Sequence, residues 1–275
     1  ALEKEITREI EFQDRKPRME FLSDGLYMPS INQKQLGFKT INVRKVKLTV
    51  KKVFESNLGQ FLQVESIKAG KTRSERYYDY DIRRVGVKVA EKELMIGEKK
   101  NQWLTHMLDM KKLVPENEKG IFLLSITFKR EDMMFQGLLK KAKYMYGREY
   151  YSNPNSYGYL NRNGYLVKPV IFSDIGLTYK QGTQQHVVFA THLPDAAPMK
   201  GVKVTLRTFQ NQEIASAVTD GQGKAFFDQI KEEVFYIEGE KDGQRSMIKP
   251  ADMRWNLSTF DTGGAVIKAL ETRAY

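Results

Sequence analysis

The chain has 275 residues, a formal net charge of +11, three histidines and no cysteine. The missing cysteines exclude disulfides, thiolate metal sites, cysteine nucleophiles and internal thioesters. No apolar run reaches the roughly 18 residues of a membrane-spanning helix. His106, His186 and His192 fall at no metal-ligand spacing, so no metal, cofactor or catalytic residue is expected, and the chain reads as a non-enzyme.

Residues 1–13 include EITREIEF, where Ile6, Ile10 and Phe12 alternate imperfectly. They read as the end of a preceding domain or a linker. The chain opens without an initiator Met or a signal-like segment, as expected of a processed or internal piece. From residue 14 onward, apolar and polar residues alternate. KVKLTVKKV puts Val46, Leu48 and Val50 on one face of a half-buried strand. SNLGQFLQVES breaks that pattern: Leu58, Phe61 and Leu62 fall at i, i+3, i+4, which predicts a short helix. RVGVKVAEKELMI returns to a strand with Val85, Val87 and Val89 on one face. Trp103 opens a short stretch, WLTHMLDM, and PENEKG reads as a turn from Pro115 to Gly120. GIFLLSITFKR places Phe122, Leu124, Ile126 and Phe128 on one face and Ile121 and Leu123 on the other, which predicts a central strand.

Residues 131–166 are different. Met134, Leu138, Ala142 and Met145 form a helical stripe, and the loop-rich stretch after them is dense in Tyr, Asn and Gly. The segment holds seven of the 14 tyrosines. Aromatics interleaved with Lys and Arg stack on bases or sugars; the plainer reading is an insertion docked on the adjacent sheet.

Charge divides the chain. Residues 1–166 carry 32 Lys+Arg against 21 Asp+Glu, and residues 167–275 carry 13 of each, which predicts a boundary near residue 167. The bases of the first half are scattered, as on a solvated face. Beyond it, VIFSDIGLTY, QHVVFATHL, GVKVTLRTF, EIASAVTD, KAFFD, EVFYIEGE and RSMIKP follow at short spacing with turn residues between them. That rhythm predicts an antiparallel sandwich. The expected fold class is all-β: two tandem antiparallel immunoglobulin-like sandwiches, residues 14–166 with an insertion at about 131–166, and residues 167–264. GGAVIKALETRAY, with residues 265–275, reads as the first strand of a following domain.

Candidate chemistry is sparse. Asp220-Gly221-Gln222-Gly223-Lys224 lacks the upstream glycine and hydroxyl residue of a phosphate loop. It also lacks the alternate carboxylates of a calcium loop. It reads as a hairpin turn fastened by Asp220, with Gly221 and Gly223 reversing the backbone, and with Val218 and Phe226 or Phe227 feeding the core. Ser173-Asp174 with His186 or His192 has no nucleophile elbow. Glu131-Asp132 and Glu232-Glu233 are adjacent pairs, which on a strand point to opposite faces. Trp255 reads as an interdomain plug or a sugar-stacking platform.

PRMEFLSDGLYMP with INVRKVKLTVKKVFESNLGQFLQ resembles an early macroglobulin domain of bacterial alpha-2-macroglobulin-like proteins. VIFSDIGLTYK, GVKVTLRTFQNQEIASAVTDGQGKAFFD, YIEGEKDGQRSMI and LSTFDTGG resemble the next such domain. The resemblance covers about residues 14–275 and is weakest over 131–166. It implies a scaffold piece of a large endopeptidase inhibitor, a protease trap that is periplasmic or anchored in the cell envelope. In that role the piece has neither the bait region nor the thioester. The implied partners are neighbouring domains of the same polypeptide and, through the full-length protein, host or competitor proteases; neither nucleic acid nor a direct membrane span is implied. Short linkers such as TGG would let rigid sandwiches rotate. A carbohydrate-binding or adhesive envelope module, using Tyr150, Tyr157 and Trp255, is the alternative.

Overall fold

The computed structural model describes residues 14–23, 25–30, 35–64, 84–114, 119–135, 147–182 and 185–252. The EITREIEF stretch, the start of the PENEKG turn, most of the Met134–Met145 stripe, Trp255, TGG and the expected last strand lie outside the described residues.

Two antiparallel β-sandwiches follow one another. In the first, β1 (Arg18–Phe21), β2 (Gln35–Ile41) and β5 (Trp103–Asp109) form one sheet in the order β1-β2-β5. The facing sheet has the order β4-β3-β6-β7, from β3 (Lys45–Val53), β4 (Gly86–Met95), β6 (Gly120–Thr127) and β7 (Tyr165–Phe172). Alternation decides what lies between the sheets: Leu36 and Phe38 come from one side, and Val46, Leu48, Val50, Phe122, Leu124 and Ile126 from the other. β6 is buried along both faces, as its doubly apolar pattern requires.

The expected Val85, Val87, Val89 face does not form. A bulge between Val50 and Lys51 pairs them with Ala90 and Lys88, so Val89 has no partner. The extra residue reverses the alternation. Val89 and Leu94 pack toward the core, while Val87 is exposed. β4 is an edge strand of ten residues, with Lys88, Glu91 and Glu93 turned to solvent.

The predicted helix is present as α1 (Leu58–Val64), inserted between β3 and β4. In the Tyr-rich insertion the described residues form α2 (Gly147–Ser152) and α3 (Tyr157–Asn163). The Ser156 hydroxyl caps α3 by accepting from the Tyr159 amide at 3.0 Å. Of the Met134 stripe, only its start is described. Met133 there bridges Val43, and Met134 donates its amide to the Asn42 carbonyl.

The second sandwich pairs β11-β10-β13-β14 with β12-β9-β8. Its strands are β8 (Ile175–Gln181), β9 (Gln185–His192), β10 (Lys203–Arg207), β11 (Glu213–Val218), β12 (Lys224–Asp228), β13 (Tyr236–Lys241) and β14 (Gln244–Ile248). Ile175, Val188, Val204, Leu206, Phe227 and Ile237 fill its core. The sheet changes at Ser173-Asp174, a few residues past the charge shift near 167. Net charge records the surface, whereas pairing with β6 carries the chain on to Phe172.

Candidate functional site

VIFSDIGLTY, read from sequence as one strand, is the end of β7 and the start of β8, and its two central residues form the junction between sandwiches. Both are buried. The Ser173 hydroxyl accepts from the Ile175 amide at 3.1 Å, and the Asp174 amide donates to Gln244 Oε1 at 2.8 Å. Asp174 Oδ1 accepts from the Ser30 amide at 2.6 Å, and Oδ2 accepts from Gln244 Nε2 at 3.3 Å. Burial pushes the Asp174 carboxyl up, but the bonds from Ser30 and Gln244 and the nearby His192 outweigh it and leave it below its ordinary value. These contacts tie Ser173, Asp174, His186 and His192 to structure. His192 Nδ1 pairs with Asp195 at 2.8 Å, and His186 bonds the Tyr179 hydroxyl.

Beside the junction, a second hydrophobic cluster crosses from one sandwich to the other. Val53, Leu58, Phe61, Leu62, Ile121, Leu123 and Ile171 of the first meet Tyr236 and Met247 of the second. Ile121 and Leu123 are the residues of β6 that point away from the first core, so this seam uses the second apolar face of a central strand. α1 closes it. Phe61 is 2% exposed and Leu62 is fully covered, and each such side chain buried contributes about 1.5–3 kcal/mol.

The polar groups in the seam are paired, as burial demands. Tyr27 donates its hydroxyl to the Met247 carbonyl at 2.6 Å, and burial raises its pKa. Lys249 Nζ donates to the Leu62 carbonyl at 2.8 Å and Gln63 Nε2 to the Phe209 carbonyl at 2.5 Å. Arg245 reaches Glu55 of the first sandwich at 3.3 Å and Glu238 of its own at 2.6 Å. The Tyr236 hydroxyl donates to Asn211 Oδ1 at 2.5 Å, and burial pushes its pKa up to about 12. Asn211 holds the β10–β11 turn at φ +67° and lies against Gly59 of α1. Of the seam residues, the sequence singled out Leu58, Phe61, Leu62, Ile121 and Leu123 but not Tyr236 or Met247. The available signal was the doubly apolar pattern of β6, which demands a cover on each face.

The Asp220 loop is a turn, but not a hairpin. β11 and β12 belong to different sheets, so the loop carries the chain across the sandwich. Asp220 Oδ1 accepts from the amides of Lys224 and Gln222 at 2.9 and 2.8 Å. Gly223 stands at φ +72°, where a Cβ would lie 2.5 Å from the Ala190 carbonyl oxygen; Gly221 has no such φ. Val218 is exposed, because alternation along β11 turns Ala215 and Ala217 inward; after the turn it is Phe227, not Phe226, that fills the core. Asp132 is buried in a 3-10 turn, accepting from the Lys129 amide at 2.9 Å, and Glu131 is exposed. Among the described residues no cluster of His, Asp and Glu is arranged to hold a metal ion, and no helix is long and apolar enough to cross a membrane.

Residues 20–154 match the family model of the bacterial alpha-2 macroglobulin MG2 domain, and residues 172–266 match that of the bacterial alpha-2-macroglobulin MG3 domain. The chain belongs to the bacterial alpha-2-macroglobulin family. Solved structures agree on the fold. A crystal structure of native Escherichia coli alpha-2-macroglobulin spanning domains NIE-MG1 is 17% identical, with a TM-score of 0.58, over 85% of this chain and 97% of that one. Trypsin-activated alpha-2-macroglobulin from Escherichia coli is 19% identical with a TM-score of 0.57, covering 85% of this chain and 14% of that one. A Salmonella alpha-2-macroglobulin mutant is 18% identical with a TM-score of 0.56, covering 93% and 13%. The chain thus spans about one seventh of the length of those two larger molecules. No curated protein matches the sequence. Membership places both sandwiches among macroglobulin domains and supports a scaffold role for them.

Proposed function

We propose that the two sandwiches act as one rigid scaffold segment of a bacterial alpha-2-macroglobulin-like endopeptidase inhibitor, exported to the periplasm or cell envelope. In this reading the segment corresponds to two domains meeting at Ser173-Asp174, works without catalytic residues, and contributes neither the bait region nor a thioester. Its partners are the neighbouring domains of the same polypeptide, and proteases meet it only through the whole inhibitor. The observation that carries the reading is the seam. A shared core of Phe61, Leu62, Ile121, Ile171, Tyr236 and Met247, framed by paired polar groups, makes the second sandwich follow the first. The TGG linker, where rotation is expected, lies outside the described residues; at Ser173-Asp174 the shared core opposes rotation, and a segment of this kind passes displacement along without absorbing it.

The test has two arms. The chain alone, mixed with trypsin or elastase, leaves cleavage of a protein substrate unchanged at any molar ratio, whereas stoichiometric inhibition overturns the scaffold reading. In the full-length parent, Phe61→Ala weakens protection of that substrate while expression and secretion persist; a parent unaffected by Phe61→Ala and Met247→Ala together also overturns it.

A further inference from the structure

A groove of about 450 Å³ opens on the first sandwich and shares no residue with the seam. It is lined by Arg15, Lys16, Arg18, Trp103, Tyr151 and Arg162 among others. Three separate segments build it: the strap before β1, the start of β5, and the α2–α3 pair. The strap is fixed in place. The Arg15 amide donates to Asn101 Oδ1 at 2.8 Å, its carbonyl accepts from Asn42 Nδ2 at 2.5 Å, and the Pro17 carbonyl accepts from the Tyr159 hydroxyl at 2.8 Å. Burial pushes the Tyr159 hydroxyl up to about 12, so it remains a donor. The groove is therefore formed before anything enters it, at a size usual for small-ligand sites.

Its chemistry is one-sided. Arg18 pairs with Glu20 at 2.9 Å, and Glu20 also holds Lys39, whose Nζ stands 4.6 Å over the Trp103 ring. Asp14 accepts from Asn101 Nδ2. Among the described residues no carboxylate pairs with Arg15, Lys16 or Arg162. Gathering unpaired cations around a concavity costs stability through mutual repulsion, and an anion entering it removes that cost. Trp103 is 37% and Tyr151 52% exposed, and Arg162 lies 5.7 Å over the Tyr151 ring. Flat rings beside guanidinium groups suit a ligand that is itself a ring bearing negative charge.

We propose that this groove binds a short acidic saccharide, its sugar rings stacking on Trp103 and Tyr151 and its carboxylates pairing with Arg15, Lys16 and Arg162. A nucleic acid fits less well. Its phosphates call for cations strung along a track, whereas here they surround one concave spot. The residues differ from the Tyr150, Tyr157 and Trp255 set of the sequence reading. Tyr150 packs against Gly158, Tyr157 lies outside the groove, and Trp255 is not described. The inference does not depend on the scaffold reading, since the groove and the seam share no residue.

The test uses the whole chain carrying Trp255→Phe, so that Trp103 is the remaining indole. Tetragalacturonate is titrated while fluorescence and heat of binding are followed. Saturable quenching is expected, with affinity reduced about tenfold by Arg162→Gln and again by Arg15→Gln, as loss of a charge-assisted pair requires; neither variant falls below the parental thermal midpoint. Four further outcomes overturn the proposal. These are equal binding of neutral maltotetraose, equal binding of inorganic phosphate, tighter and steeply salt-dependent binding of an eight-thymidine oligonucleotide, and affinity unchanged in the two Arg variants. Absence of any binding by tetragalacturonate overturns it outright. If Arg162→Gln lowers the thermal midpoint, Arg162→Lys is substituted, and retention of its fold with loss of affinity is then the supporting result.

Discussion

Replacing Gly59 by alanine gives a stability change whose sign depends on the seam. Gly59 lies inside α1, so in a helix free of neighbours alanine gains up to about 1 kcal/mol. In the folded chain an added Cβ would stand 2.5 Å from Asn211 Cγ and 2.7 Å from both Asn211 Cβ and Oδ1. Asn211 cannot simply turn away. Its backbone is held at φ +67°, its amide donates to the Thr208 carbonyl at 3.0 Å, and its side chain accepts the Tyr236 hydroxyl. Relieving the overlap moves the turn or breaks that bond. Overpacking of this kind costs about 1–3 kcal/mol, and the lost hydrogen bond about 0.5–1.5 kcal/mol. The expected balance is a net loss of about 1–3 kcal/mol, read as a lower urea midpoint at unchanged slope. Asn211→Gly keeps the left-handed backbone and removes the obstacle. In that background Gly59→Ala turns stabilising, giving a coupling of at least about 1 kcal/mol in a double-mutant cycle. A Gly59→Ala protein at or above the parental midpoint would refute the reasoning, because it would mean that α1 and the β10–β11 turn do not press on each other.

Two other outcomes follow from the same structure. Tyr236→Phe keeps the ring in the seam and removes its hydroxyl, so it lowers stability by about 0.5–1.5 kcal/mol in urea unfolding and brings no new cavity. The amide of Lys224, with that of Gln222, holds the Asp220 carboxyl below its ordinary value. A folded pKa below the unfolded one gives stability that is present above the unfolded pKa and lost as pH falls through the folded one. Asp220→Asn is therefore less stable than the parent at neutral pH, and the gap between their thermal midpoints closes in acid; a gap that stays constant with pH counts against the carboxylate's role.

The strands were legible because alternation is a local property. Val46, Leu48 and Val50 lie on the inward face that their spacing assigns, and Phe61 and Leu62 make α1 amphipathic in the right place. Pairing is not local. Nothing between Val218 and Lys224 distinguishes a hairpin from a crossing, since Asp220 and Gly223 serve both; the choice is made by distant partners, β10 for β11 and β9 for β12. A single bulge opposite Val89 exchanged the faces of a whole strand. The seam was half visible: the second apolar face of β6 asked for a cover, but only the fold shows that Tyr236 and Met247 provide it. The groove was less visible still, because Arg15, Trp103 and Arg162 are separated by most of the first sandwich and none belongs to a motif.

Among the described residues, no strand pairs with the outer row of backbone donors and acceptors of β4. Its outward residues alternate in sign: Lys88 lies 3.0 Å from Glu91, Glu91 lies 3.0 Å from Lys47, and Glu93 lies 3.4 Å from Lys45. Another strand adding to this edge would have to bury those charges or break their pairs. The charges thus keep this edge from pairing with another strand while the chain folds. They also bear on assembly: a neighbour on this side meets the edge more readily through loops than by extending the sheet.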